Sequence, residues 1–123
     1  MRTFTFVALT NAVAGREQEF NDWYDHQHVK DVLAIPGFLT AQRFERVGQV
    51  VSAVSPYRCL AMYEVMTDDP DAALGELLAR VGTSSLPMSE AMDQEIYAVL
   101  YETRSPQVQC TPAAASPPHQ APV

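Results

Sequence analysis

One short stretch concentrates side chains that could carry out acid–base chemistry. Residues 20–38, FNDWYDHQHVKDVLAIPGF, contain two histidines, three aspartates, a tryptophan and a tyrosine. On a helical wheel Tyr24, His28 and Asp31 are neighbours. An imidazole titrates near neutral pH, an adjacent carboxylate can fix its tautomer, and a phenol can donate to a developing oxyanion. The spacing is therefore typical of a group that moves a proton next to a carbonyl, with His28 as the base and Tyr24 and Asp31 as helpers.

Several other residues are candidates for the same site. Asp25, three residues before His28, is a second candidate for orienting the imidazole. The predicted substrate-binding residues are Phe20, Trp23, Arg43 and Tyr63, the last two from later strands. Arg43 could bind an oxyanion or a carboxylate, although an ion pair at a strand edge is the more common role. The polar groups around His28 could instead hydrogen-bond with one another beside a core. The helical wheel therefore does not decide between a catalytic site and a purely structural arrangement.

The residue spacings in this sequence are not those typical of a metal or cofactor site. His26 and His28 lie on opposite faces of a helix and cannot share an ion unless the helix is broken, and no Cys/His spacing typical of zinc accompanies them. Neither a phosphate-binding glycine loop, nor a nucleophile elbow, nor a redox CxxC motif is present in the sequence. We therefore expect no metal and no cofactor.

The apolar pattern predicts two strand–helix–strand units. A helical period extends from Gly15 to Ile35, with one lipophilic side, and Pro36-Gly37 ends it. Asp69 and Pro70 are typical of the start of a second helix, over 72–81. Residues 83–94 are expected to be a loop with a short helical turn. Strands are predicted at 2–10, 38–47, 57–66 and 95–103. This order is that of an α+β, ferredoxin-like βαββαβ protomer with a four-stranded antiparallel sheet and both helices on one face.

The third and fourth predicted strands are apolar on both faces. One series is Cys59, Ala61, Tyr63 and Val65, and the other includes Leu60, Met62 and Met66. Helices can cover only one face of such a sheet, so the second apolar face predicts a partner. A homodimer formed through the sheet face is the simplest solution.

The bulk properties exclude several classes of protein. The chain has 123 residues and a net charge of -7, without a cluster of Lys or Arg, so nucleic acid is not an expected partner. Its apolar runs are shorter than the roughly 20 residues that a membrane helix needs, and we expect a cytoplasmic protein. We predict one domain over 1–105, followed by a disordered Pro/Ala-rich tail over 106–123. The two cysteines, Cys59 and Cys110, are expected to remain unpaired.

Residues 23–44, WYDHQHVKDVLAIPGFLTAQRF, resemble the signature of EthD-like proteins in the dimeric α/β-barrel superfamily. The shared features are an aromatic pair, a His closing the second turn, Asp-Val-Leu, Pro-Gly-Phe and Arg-Phe in the next strand. The resemblance implies a ferredoxin-like protomer whose sheet packs on its twin, with a lipophilic cleft between helices and sheet. It also implies that His28 is the functional histidine.

These observations lead to one preferred hypothesis and two alternatives. The preferred one is a cofactor-independent acid–base enzyme of the cyclase, isomerase, dehydratase or decarboxylase type, that is, a lyase or isomerase. Its small-molecule substrate would be a mostly apolar carbonyl or phenolic compound. The first alternative is a cofactor-free monooxygenase of aromatic or polyketide-like substrates. The second is a non-enzymatic dimer that binds a small molecule or haem.

Overall fold

The computed structural model describes residues 1–49 and 55–111. In chain order the elements are β1 (Arg2–Thr10), α1 (Glu17–Trp23), a π-helical turn (Tyr24–His28), α2 (Val29–Leu33), β2 (Phe38–Glu45), β3 (Cys59–Thr67), α3 (Pro70–Arg80) and β4 (Tyr97–Glu102). The strands form one sheet in the order β2-β3-β1-β4, and every neighbouring pair is antiparallel. The predicted ferredoxin-like α+β fold is confirmed.

The alternation of side chains along the strands decides which face of the sheet is buried. In β1, Phe4 and Phe6 point toward the helices, opposite Val65 and Tyr63 of β3. Residues two apart share a face, so the residues between them, such as Thr5, point toward the opposite face of the sheet. The core lies between this sheet face and the helices, where the largest fully buried side chains are Tyr24, Tyr63, Phe20, Ile35, Leu86, Val32 and Val65.

The first helical region is not the regular helix that the sequence predicts over 15–35. It begins at Glu17 and is interrupted at Tyr24–His28 by a π-helical turn, in which the Val29 N–H donates to the Tyr24 carbonyl five residues back. A π turn brings residues five apart onto one side of the helix. The helix ends before Gly37, whose φ of 94° and close approach to the Met66 carbonyl favour glycine.

Helix α3 covers the other part of the same sheet face. It begins at Pro70, where the Asp69 side chain accepts a hydrogen bond of 3.1 Å from the Ala72 N–H. Ala73 and Leu77 are its buried residues. Residues 83–94 form a loop, as predicted, with single turns closed by hydrogen bonds from the Leu86 N–H to the Thr83 carbonyl and from the Met92 N–H to the Ser89 carbonyl. Two isolated bridges, Ala12 with Met92 and Val81 with Leu86, tie this segment to residues that follow β1 and α3.

The opposite face of the sheet carries exposed apolar side chains. They come from three strands: Phe44 from β2, Met62 and Met66 from β3, and Tyr97 and Tyr101 from β4. An apolar face of this extent is unusual for a monomer in water.

Cys59 and Cys110 are both free, as predicted. Residues 106–111 are exposed and have no regular structure, while the rest of the predicted tail, 112–123, lies outside the described residues. Within residues 1–49 and 55–111, no helix combines the length and the apolar character needed to cross a membrane.

Candidate active site

A cavity of about 250 Å³ lies between the helices and the buried face of the sheet. Most of its wall is apolar, and the polar side chains in it are Thr10, Tyr24, His28 and Tyr63. All four are buried. Within the described residues no lysine, arginine, aspartate or glutamate lines it. Such a cavity suits a small, uncharged and mostly apolar molecule.

His28 presents its ring to this cavity and is only 8% exposed. Its Nδ1 atom is fully buried and has no hydrogen-bond partner among the described residues. Burial lowers the pKa of His28 to about 4; Asp31 opposes this shift, and the positive charge of Arg43 adds to it. The imidazole is therefore neutral at pH 7. Because Nδ1 is enclosed, Nε2 is the nitrogen available to a bound molecule.

Two aromatic rings hold the imidazole in place. The Trp23 ring stacks on it with the centroids 4.5 Å apart at an interplanar angle of 28°, and the Tyr24 ring meets it edge-on at 4.8 Å. Trp23 and His28 are five residues apart, so the π turn accounts for their stacking. Trp23, predicted to bind substrate, thus contacts the proposed base.

The hydroxyl of Tyr63 is buried close to that of Tyr24, near enough for the two phenols to shift each other's pKa but without the geometry of a full hydrogen bond. Burial, with a smaller effect of the adjacent Tyr24, raises its pKa far above the usual value. Burial also raises the pKa of Tyr24, although Tyr63 and Arg43 oppose that effect. Both phenols therefore stay protonated and can donate. A buried donor without a full partner is costly. Because this hydroxyl is as enclosed as Nδ1 of His28, a ligand oxygen can reach it only when the surrounding side chains shift.

The structure does not join Asp31 to His28 as the sequence predicts. Asp31 affects the pKa of His28 through its charge, but its buried Oδ2 and the Nδ1 of His28 both lack hydrogen-bond partners in the described part of the chain. The π turn precedes His28 and alters its relation to Tyr24, whereas His28 and Asp31 are connected by the regular helix α2. Asp31 therefore acts on the imidazole only at a distance.

Asp25 and Arg43 also differ from their predicted roles. Asp25 is not a partner of His28: its Oδ1 accepts a hydrogen bond of 2.7 Å from Arg43 Nη1, while Asn21 Oδ1 accepts one of 2.9 Å from Nη2. These groups line a separate, larger and polar cleft. The Arg43 guanidinium lies 4.4 Å from the centroid of the Tyr24 ring. Arg43 therefore packs against the Tyr24 ring and does not line the cavity that contains His28.

Phe20, predicted to bind substrate, is completely buried. Its ring packs edge-on against Tyr24, with the centroids 5.5 Å apart, and beneath Arg43. Phe20 has no surface to offer a ligand, so its role is to hold Tyr24.

The remaining histidine of the described chain faces solvent, as the wheel predicts. His26 is exposed, and its Nδ1 lies 2.9 Å from the Asp22 carbonyl. No group of three or more His, Cys, Asp or Glu side chains that could hold a metal ion occurs within residues 1–49 and 55–111.

Part of the cavity wall comes from residues whose direction in the fold the sequence did not indicate. Leu86, Met88 and Met92 lie in the segment between α3 and β4, and Thr10 ends β1. The apolar residues of 86–92 were a weak signal, because a loop without a regular period does not reveal which way its side chains point.

Comparison with known proteins supports the fold. No family model and no curated protein sequence matches the chain. A candidate monooxygenase from Shewanella loihica PV-4 superposes with a TM-score of 0.56 and 13% identity, over 85% of this chain and 97% of its own. HapK from Hahella chejuensis superposes with a TM-score of 0.56 and 15% identity, over 90% of this chain and 100% of its own. The chain shares their fold. At such identities the likeness says nothing about the reaction.

An EthD family protein from Bacillus halodurans C-125 is also among the structural neighbours. It superposes with a TM-score of 0.49 and 15% identity, over 83% of this chain and 99% of its own.

Proposed function

We propose that the protein is a cofactor-independent acid–base catalyst in which His28 takes a proton from a small, mostly apolar carbonyl or phenolic substrate. One observation supports this most: a buried, neutral imidazole faces an apolar cavity beside the unpaired hydroxyl of Tyr63. The reaction class is proton transfer, as in cyclisation, isomerisation, dehydration or decarboxylation.

We assign one role in the reaction to each of His28, Tyr63 and Tyr24. With a carbonyl substrate, His28 Nε2 accepts a proton from the carbon next to the carbonyl, and the electron pair moves onto the oxygen. Tyr63, with Tyr24 beside it, donates a hydrogen bond to that oxygen as the negative charge develops. The imidazolium then returns the proton to the substrate at another position. A base with a pKa of about 4 is weak, so the reaction depends on donors that act in a cavity without bulk water.

The lining also favours a neutral substrate over an acid. A carboxylate would lose its hydration in an apolar cavity that offers no cation within the described residues. The neutral His28 accepts one hydrogen bond and Tyr63 donates one, which matches a phenol or an enol, while an enolisable ketone accepts from Tyr63 and presents its acidic C–H to His28.

A cofactor-free monooxygenase remains the second candidate. The apolar wall favours it, because a substrate anion shielded from water can react with dioxygen before it is protonated again. Oxygen uptake with an activated phenol separates this reaction from proton transfer alone. Tight binding of aromatic molecules without either activity would instead indicate a binding protein.

The proton-transfer step can be tested without knowing the physiological substrate. Acetophenone in D₂O exchanges its methyl protons through its enolate, and proton NMR follows the loss of the methyl signal. We expect the wild-type protein to accelerate this exchange and His28→Gln to reduce the catalysed rate by about 100-fold or more. His26→Gln, which changes an exposed histidine of the same helical region, is the matched control. Equal catalysed rates for His28→Gln and His26→Gln would refute the role of His28.

We also propose that the apolar face of the sheet pairs with the same face of a second copy. Exposed Met62, Met66, Tyr97 and Tyr101 are contributed by strands β3 and β4. An isologous contact would remove these side chains from water in both protomers at once.

A further inference from the structure

We propose that an exposed apolar rim at the mouth of the cavity binds a hydrocarbon tail, so that the substrate is a phenol or enolisable ketone bearing an alkyl chain. The rim consists of Leu78, Val81 and Ile96. This inference rests on the proposed function, because the tail reaches the rim only when the head of the ligand occupies the cavity beside His28.

All three residues of the rim combine two properties that are unusual together. Each lines the cavity, and each is well exposed: Leu78 by 71%, Val81 by 44% and Ile96 by 46%. The polar residues of the cavity are buried, so these exposed ones mark its opening to solvent. Single apolar side chains on a surface are ordinary, whereas a group of them at the mouth of an apolar cavity marks a binding surface.

The size of the cavity limits how much of a ligand it can enclose. A volume of about 250 Å³ is below the range of roughly 300–1,000 Å³ that is usual for small-molecule pockets. A single substituted ring therefore fits beside Tyr63 and His28. Any chain attached to the ring on the side away from these groups has to leave through the opening, where the rim is the first surface that it meets.

The dimer that we propose does not cover this rim. Leu78 belongs to α3, Val81 follows that helix, and Ile96 precedes β4. Leu77 of the same helix packs into the core on the helical side of the sheet. The face proposed for dimerisation is the opposite one, carrying Met62 and Met66, so the rim stays accessible in a dimer.

The chain-length dependence of binding tests the inference. Isothermal titration calorimetry of the full chain would use phenol and the 4-alkylphenols from ethyl to hexyl. We expect the dissociation constant to fall about threefold to fourfold for each methylene that contacts the rim. Hexanoate, which has a similar tail and a charged head, should bind more weakly than 4-pentylphenol because the cavity offers no cation within the described chain.

Two matched variants identify where the tail lies. Leu78→Asp should weaken the binding of 4-pentylphenol by about tenfold or more and leave the binding of phenol unchanged. Leu39→Asp places the same charge at another exposed leucine, which does not line the cavity, and should change neither constant. Both substitutions are at exposed positions, so the fold should persist in each variant.

The inference fails if affinity does not depend on chain length, or if Leu39→Asp weakens 4-pentylphenol as much as Leu78→Asp does. A failure of the proposed function has a different signature. If the wild-type protein leaves acetophenone exchange at its background rate while the chain-length gradient and the effect of Leu78→Asp are both present, the tail site stands. In that case His28 is not a catalyst and the protein binds its ligand without turnover.

Discussion

Acidification should destabilise the folded protein through His28, and the size of the effect follows from its burial. The folded state holds the pKa of this imidazole at about 4, whereas an unperturbed histidine titrates near 6.5. The unfolded chain therefore binds the proton at a higher pH than the folded chain. The free energy of unfolding is unaffected by this group above about pH 6.5 and falls as the pH drops toward 4. At about 1.4 kcal/mol per pH unit, the total loss is about 3 kcal/mol.

Urea denaturation at several pH values between 7.5 and 4 measures this loss. All carboxylates that titrate in this range contribute to the pH dependence, so the wild-type curve is compared with that of His28→Gln, which lacks only the imidazole. We expect the wild-type protein to lose about 3 kcal/mol more than the variant over this interval. Parallel curves for the two proteins would show that the His28 imidazole is hydrated in the folded state and would refute its placement in the cavity wall.

Three further predictions concern the neighbours of His28 and the sheet face. Tyr63→Phe removes a buried hydroxyl without a full hydrogen-bond partner in the described chain, so it should raise the free energy of unfolding by about 1 kcal/mol in urea denaturation. The same variant should slow acetophenone exchange about tenfold or more. A lower free energy of unfolding would show that the hydroxyl is hydrogen-bonded in the folded protein. Trp23→Leu should raise the pKa of His28 by about half a pH unit or more in an NMR titration, because the smaller side chain uncovers part of an imidazole whose burial lowers its pKa, and an unchanged pKa would exclude that role. Met62→Asp with Met66→Asp should convert a dimer to monomers in sedimentation velocity, and a monomeric wild-type protein would exclude the dimer.

The sequence predicts the fold well because its strands are short runs rich in apolar, aromatic and β-branched residues that alternate with helical segments. The first strand was predicted at both ends, and the others to within a few residues. The helical region was predicted in extent but not in form. A π turn depends on how the helix packs against the sheet, and the order of the residues around Tyr24 and His28 contains no independent signal for it.

The candidate site was predicted only in part, because helical periodicity describes a single element. A helical wheel places His28 and Tyr24 on the lipophilic side, and both lie there in the structure. It cannot show that Asp25 pairs with Arg43 from another element rather than with His28, or that Asp31 makes no hydrogen bond with the imidazole. Contacts between elements depend on the tertiary fold, which local periodicity does not describe.

The most direct test of the account is an NMR titration of the His28 ring, with its resonances assigned from the spectrum of His28→Gln. We predict a neutral imidazole down to about pH 5, protonation near pH 4, and a change in the His28 resonances when 4-propylphenol is added at pH 7, whereas the resonances of the exposed His26 should not respond to 4-propylphenol. Titration of His28 near 6.5, or resonances that do not respond to 4-propylphenol at a concentration at which calorimetry shows binding, would contradict it.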